Sequence, residues 1–246
     1  MVDFNRNNAV TGTAAAYDEG LRAYMLKVYN YMALALSITG LVAYVAASTP
    51  AIVAMLYRVN QAGQPVGFSL AGYIILLSPL IMVMFLGARM NSLSFRGAQT
   101  AFWIYSALMG LSLSSIFLIY TNASIARVFF VTAGTFAAMS LYGYTTKRDL
   151  TGFGSFLIMG VWGIVIASLV NLFLHSSGMY YIVSILGALI FTGLTAYDTQ
   201  RIKQNYYQFQ GTGEMEGKVA IMGALSLYIS FINIFMSLMQ LFGNRR

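Results

Sequence analysis

Of the seven acidic residues in this chain, one is attached to a long apolar run: Asp198, in the stretch Gly193-Leu194-Thr195-Ala196-Tyr197-Asp198-Thr199-Gln200-Arg201-Ile202-Lys203. Asp3, Asp18 and Glu19 precede the first apolar segment, Asp149 sits in a polar break, and Glu214 and Glu216 lie in a Gly-rich connector. An ionisable group at or inside a membrane span is costly to keep there and so marks a functional position. Two readings of Asp198 are open. In one it is an interfacial carboxylate paired with Arg201 three residues on. In the other it points inward, where desolvation favours the neutral acid and a nearby Arg favours the carboxylate, so that it holds a cation or a proton according to pH.

Other chemistry is poorly supplied. The chain has no cysteine, which removes disulfides, thiol nucleophiles and Cys-based metal or iron–sulfur sites. The one histidine, His175, follows Leu174 at a helix end with no second His or Glu near it in sequence, so neither a zinc site nor a bis-His haem can be assembled. Lys27, Lys147, Lys203 and Lys218 all fall at helix ends, away from the position a Schiff-base lysine would need. The Tyr197-Asp198 pair resembles one half of an intramembrane aspartic protease, but that mechanism shares a proton between two carboxylates and no other acid lies in a span. The expectation is a protein that is not an enzyme and carries no cofactor.

The elements that must position Asp198 are membrane helices. Of 246 residues 59% are hydrophobic and only 9% charged, and mean hydropathy is +0.71, whereas a soluble domain carries about 25% charged residues. A lipid bilayer is therefore the first partner. The net charge of +7 does not point to nucleic acid, because the basic residues are scattered singly between apolar runs instead of clustering with exposed aromatics. Apolar runs near the roughly 20 residues that cross a bilayer occur at 26–47, 70–88, 101–120, 124–144, 152–174, 179–200 and 219–242. The expected fold is an all-α integral membrane bundle of seven transmembrane helices, residues 26–246, preceded by a flexible polar tail at 1–25 without the apolar core of a signal peptide.

Alternate connections divide the basic residues unequally. Arg6, Arg22, Lys27, Arg89, Arg96, Lys147, Arg148, Arg201, Lys203 and Lys218 fall on the side of the N-terminus, and Arg58, Arg127, Arg245 and Arg246 on the other. That bias places the N-terminus in the cytoplasm. Seven crossings put the C-terminus outside, and a re-entrant seventh segment would put both ends inside.

Within the spans, small residues recur every fourth position at Ser184, Ala188, Thr192 and Ala196, and at Gly134 and Ala138, as close helix packing requires. Pro79 inside the second span removes an amide, which predicts a kink or backbone carbonyls turned to a cavity. The seventh span carries Ser226, Ser230, Asn233, Ser237 and Gln240 at spacings of 4, 3, 4 and 3, a single polar face. Such a face either hydrogen-bonds neighbouring helices or lines a watery path.

The Asp198 stretch resembles the signature of the transmembrane Bax inhibitor motif family, in its bacterial branch. The resemblance extends over Lys27-Val28-Tyr29, Ser78-Pro79-Leu80, Tyr105-Ser106-Ala107-Leu108-Met109-Gly110-Leu111 and Tyr142-Gly143-Tyr144-Thr145-Thr146-Lys147-Arg148-Asp149-Leu150. It continues through Ala224-Leu225-Ser226-Leu227-Tyr228 and Phe231-Ile232-Asn233-Ile234-Phe235. What it implies is six helices around a more polar central seventh, and a pH-sensitive calcium leak. It further implies that Asp198 pairs with a second carboxylate on the seventh helix, and that Arg89, at the cytoplasmic end of the second, latches the closed state. Where the family has Leu-Asp-Phe-Ile-Asn this chain reads Ile229-Ser230-Phe231-Ile232-Asn233, so Ser230 takes the second carboxylate's place. Since calcium prefers six to eight oxygens with several carboxylates among them, Asp198, Ser230 and Asn233 would make a weaker cation site. A competing expectation is an interaction protein that modulates a membrane-bound ATP-dependent protease through its polar tail, without ion conduction. The bacterial branch implies a bacterial inner membrane in either case.

Overall fold

The computed structural model describes residues 3–59, 65–90 and 92–245, and the side chains of residues 1–18, assigned above to a flexible tail, lie outside the described ones. The helices are α1 (Asp3–Ser48), α2 (Pro50–Leu56), α3 (Leu70–Arg89), α4 (Phe95–Leu113), α5 (Ser115–Ile119), α6 (Asn122–Thr145), α7 (Thr151–Leu174), α8 (Ser177–Phe209) and α9 (Glu214–Phe242). A two-stranded antiparallel ribbon, β1 (Tyr57–Val59) and β2 (Pro65–Phe68), joins α2 to α3. Among the described residues seven helical segments are long and apolar enough to cross a membrane, each coinciding with an expected span.

Helix starts follow local chemistry. Ser69, Ser94, Thr121 and Ser176 each place a side-chain oxygen on an amide of the following first turn, satisfying one of the orphan donors there. Glu214 and Glu216 belong to the first turn of α9 and not to the connector, where their charge complements the helix dipole. Glu214 also accepts the Phe95 amide at 2.7 Å, and Glu216 the Gly211 amide at 2.9 Å.

The ends of two spans differ from the sequence expectation. Leu21, Tyr24 and Met25, which precede the expected start of the first span at residue 26, are already packed into the core. The sixth runs on to Phe209, where the Tyr206 ring meets that of Tyr24 with centroids 5.2 Å apart. A 33-residue helix is about 50 Å long, so α8 outruns the roughly 30 Å hydrocarbon core and packs its last turns on α1.

Helix α9 is central: 67% of its apolar window is buried in the molecule, against 6% for α7 and 17% for α3. It packs against α8, α1, α6 and α4, whereas α3 leans on α4 and α7 on α8, so the surrounding helices form an inner and an outer set. Its far end returns to the α5–α6 turn, where the Thr121 amide donates to the Asn244 carbonyl at 3.1 Å and Tyr120 bridges to Arg245. The seventh segment thus crosses the whole bundle and is not re-entrant.

Pro79 leaves α3 unbroken from Leu70 to Arg89. The Ile75 carbonyl that loses its partner to the proline accepts the Ser78 hydroxyl at 2.8 Å, so no bare carbonyl is exposed there. Gly134 has open space around it and Ala138 is exposed, so this pair does not pack inside the bundle as expected.

Candidate functional site

Helix α8 buries a continuous face at Leu194, Thr195, Ala196, Asp198, Thr199, Gln200 and Ile202. What lets it sink in is small residues on both sides of the contact. A Cβ on Gly143 of α6 would run into the Ala196 backbone, and one on Gly187 of α8 would stand 2.7 Å from the Ser237 hydroxyl of α9. The small-residue repeat of α8 therefore serves two neighbours. Its Ser184 end hydrogen-bonds α9 through Gln240, and its Ala196 end meets α6.

Asp198 lies 6% exposed between α8 and α9. Its Oδ2 accepts from the Ser230 hydroxyl at 3.5 Å, Ser226 one turn earlier also interacts with the carboxylate, and its Oδ1 stands 3.5 Å from Nη2 of Arg201. These distances are at the outer limit of hydrogen bonding, so the carboxylate keeps acceptor capacity to spare. The Arg201 side chain is 45% exposed and lies over the Tyr197 ring, its guanidinium carbon 5.7 Å from the centroid. Both sequence readings are thus partly realised: Asp198 forms the i,i+3 pair, and it is also turned inward against the polar face of α9.

The positions of the other expected site residues follow. Ser230 is buried beside Asp198, where the resemblance implied a second carboxylate. Asn233 turns back on its own helix, its Nδ2 donating to the Ile229 carbonyl at 2.8 Å. Further along, Ser237 meets α8 at Gly187, and the Ser184 hydroxyl donates to Oε1 of Gln240 at 2.6 Å. Arg89 is not brought to this place. It is exposed in the last turn of α3, which packs on α4, α2 and β2, and among the described residues the cation paired with Asp198 is Arg201.

Three features of the site had no signal in composition or spacing alone. Gln200 clamps the α6–α7 connection, accepting the Leu150 amide and donating to the Arg148 carbonyl, both at 2.8 Å. Thr199, whose own proton goes to the Thr195 carbonyl, accepts from Ser140, and Ser140 in turn accepts from Tyr29 at 2.6 Å. Tyr228, fully buried on α9, hydrogen-bonds Thr39 of α1 at 2.6 Å while Thr39 donates to carbonyls of α1 and α4. The motif residues around Asp198 therefore act largely as ties that lock α8 to α6, α7 and α9.

Among the described residues no group of three or more His, Cys, Asp and Glu is gathered in one place. The donors at Asp198 are one carboxylate and two hydroxyls, a set suited to passing contact with a cation and not to tight retention.

The family described as Inhibitor of apoptosis-promoting Bax1 matches residues 21–246. An uncharacterised protein of Rickettsia prowazekii is 46% identical over 246 residues, covering all of both chains. The inner membrane protein YbhL of Escherichia coli is 46% identical over 250 residues, again covering all of both. An uncharacterised membrane protein of Streptococcus pyogenes is 36% identical over 233 residues, 92% of this chain and 94% of its own.

Proposed function

Because the chain belongs to the Bax inhibitor-like family of membrane proteins, we propose that it is a pH-sensitive cation leak, with calcium as the ion carried, seated in a bacterial inner membrane with its N-terminus in the cytoplasm. The observation that carries this reading is Asp198, a buried carboxylate loosely held between Arg201 and the Ser226–Ser230 face of the central helix. From there the polar face of α9 continues through Asn233 and Ser237 to Gln240, toward a polar bowl of about 730 Å³ lined by Asn171, His175, Ser177, Tyr180 and Arg245 at the opposite end. The Gly187–Ser237 approach and the Ser184–Gln240 hydrogen bond close that line, so the arrangement corresponds to a shut path along the α8–α9 seam. Arg201 neutralises the ionised carboxylate. Protonation removes that attraction, and a cation arriving at Asp198 competes with it.

With one acid where two would hold calcium more firmly, the site is weak, which suits a leak: an ion must be able to leave as well as enter. The test is calcium entry into dye-loaded proteoliposomes at mildly acidic and mildly alkaline pH. Wild type is expected to leak in a pH-dependent way, Asp198→Asn to lose both leak and pH dependence, and Ser230→Asp to leak faster. A leak that survives Asp198→Asn with its pH dependence intact would refute the reading.

A further inference from the structure

Helices α1 and α6 stand apart along the lipid-facing side of the bundle, leaving a furrow between them. On α1 it is lined by Arg22, Leu26, Tyr29, Leu36, Gly40 and Ala43, whose spacings keep one helical face. On α6 it is lined by Tyr144, Leu141, Ala137, Phe130 and Ala126, again one face. Two separate cavities lie along it, one of about 490 Å³ toward the Arg22 end and one of about 330 Å³ toward the Ala43 end, the second walled also by Leu113 of α4 and by Ile116 and Phe117 of α5. The bed is formed by the Tyr29–Ser140 hydrogen bond, Phe136 and, from α9, Phe231, Ile232 and Phe235. From Arg22 to Ala43 is 21 residues, about 30 Å of helix, the thickness of a hydrocarbon core.

The two ends of this furrow differ in chemistry. Its bed is almost wholly apolar, while the mouth at the α1 start carries exposed Arg22. Lys203 sits beside it, its Nζ 5.1 Å from the Tyr144 ring centroid, and exposed Lys147 and Arg148 follow the end of α6. The acids nearby are Glu19, one turn before Arg22, and Asp149, which is engaged by Thr151; both are exposed. A cationic mouth over an apolar bed at membrane depth is complementary to one kind of molecule, an amphiphile with an anionic head.

We propose that the α1–α6 furrow is a binding site for an anionic phospholipid of the leaflet at the Arg22 end, with the phosphate on Arg22 and one acyl chain laid along Leu26, Ala137 and Leu141 toward Phe129.

The test uses the full chain in nanodiscs with traces of phosphatidylglycerol or phosphatidylcholine carrying a diazirine near the acyl terminus, followed by peptide mapping of the photoadducts. Adducts are expected to concentrate on α1 and α6 over the more lipid-exposed α7, and phosphatidylglycerol to label several-fold more than phosphatidylcholine. Arg22→Gln should abolish that preference, Arg22→Lys should retain it, and Ala137→Phe, which fills the bed, should lower α1–α6 labelling with either lipid. Labelling spread evenly to α7, equal labelling by the two lipids in wild type, or an Arg22→Gln preference equal to wild type would overturn the proposal.

Discussion

Asp198 is held by partners from two different helices and by none of them tightly, and each partner has a separable consequence. Removing the guanidinium at Arg201 should alter the proposed leak directly: Arg201→Gln is expected to raise basal calcium entry and to flatten its pH response in the proteoliposome assay. Arg89→Gln should leave both unchanged, since Arg89 is exposed on α3 and the cation beside Asp198 is Arg201. An Arg89 variant that alone unlatched the leak would transfer the latch back to the second span. Asp149 provides a control for the pH response. Its carboxylate accepts the Thr151 hydroxyl at 2.6 Å and the Thr151 amide at 2.9 Å, which holds its pKa below the ordinary value. With the folded pKa depressed, whatever these bonds contribute is fully present above the unfolded pKa of about 4 and is lost only as pH falls below it. Asp149→Asn should therefore leave the response between mildly acidic and mildly alkaline pH as in wild type.

At the scale of elements, α8 is the helix to which the others are tied. Its Gln200 satisfies two backbone groups of the α6–α7 connection, and truncation would leave the amide of buried Leu150 without that partner. Gln200→Ala is expected to destabilise the bundle by about 1–3 kcal/mol for the group left unpaired, read as a lowered Tm in detergent. Gly143→Val tests the α6–α8 approach, where any side chain meets the Ala196 backbone. It should cost about 1–3 kcal/mol or more by overpacking, whereas Gly134→Val, facing open space, should be close to neutral in the same measurement. The Asp198 segment and the seventh-span stripe were legible in the sequence because a lone acid and a 3.5-residue polar period are local patterns. The Arg89 assignment was not recoverable in the same way, since it depends on which helices are neighbours, and no spacing along α3 encodes that it packs on α4.

For the whole molecule, the connections at 92–94, 146–150 and 210–213 lie at one end, held together by contacts such as Lys218 to the Leu93 carbonyl at 3.2 Å and Glu214 to the Phe95 amide. The α5–α6 turn, the α7–α8 turn and the C-terminus lie at the other. The chain has no native cysteine, so single replacements report orientation without background. Lys147→Cys is expected to react with a membrane-impermeant maleimide only after the cytoplasmic face is opened, and Asn244→Cys from outside intact cells. The reverse pattern would invert the assigned topology while leaving the fold intact.

Sequence by itself determined the solvent, the number of crossings and their approximate limits, because a helix in lipid must be about 20 apolar residues long whatever surrounds it. It also determined the lone carboxylate and the polar face of the last helix, which are properties of single segments. Only the tertiary structure decided that Arg201 and not Arg89 faces Asp198, that α9 crosses fully, and that α8 serves α6 and α9 with one small-residue stripe. Only there, too, does the furrow between α1 and α6 appear. Those outcomes depend on which helices become neighbours, and adjacency is set by how closely particular pairs of faces can approach, at Gly143 against Ala196 and Gly187 against Ser237, which no helix specifies alone.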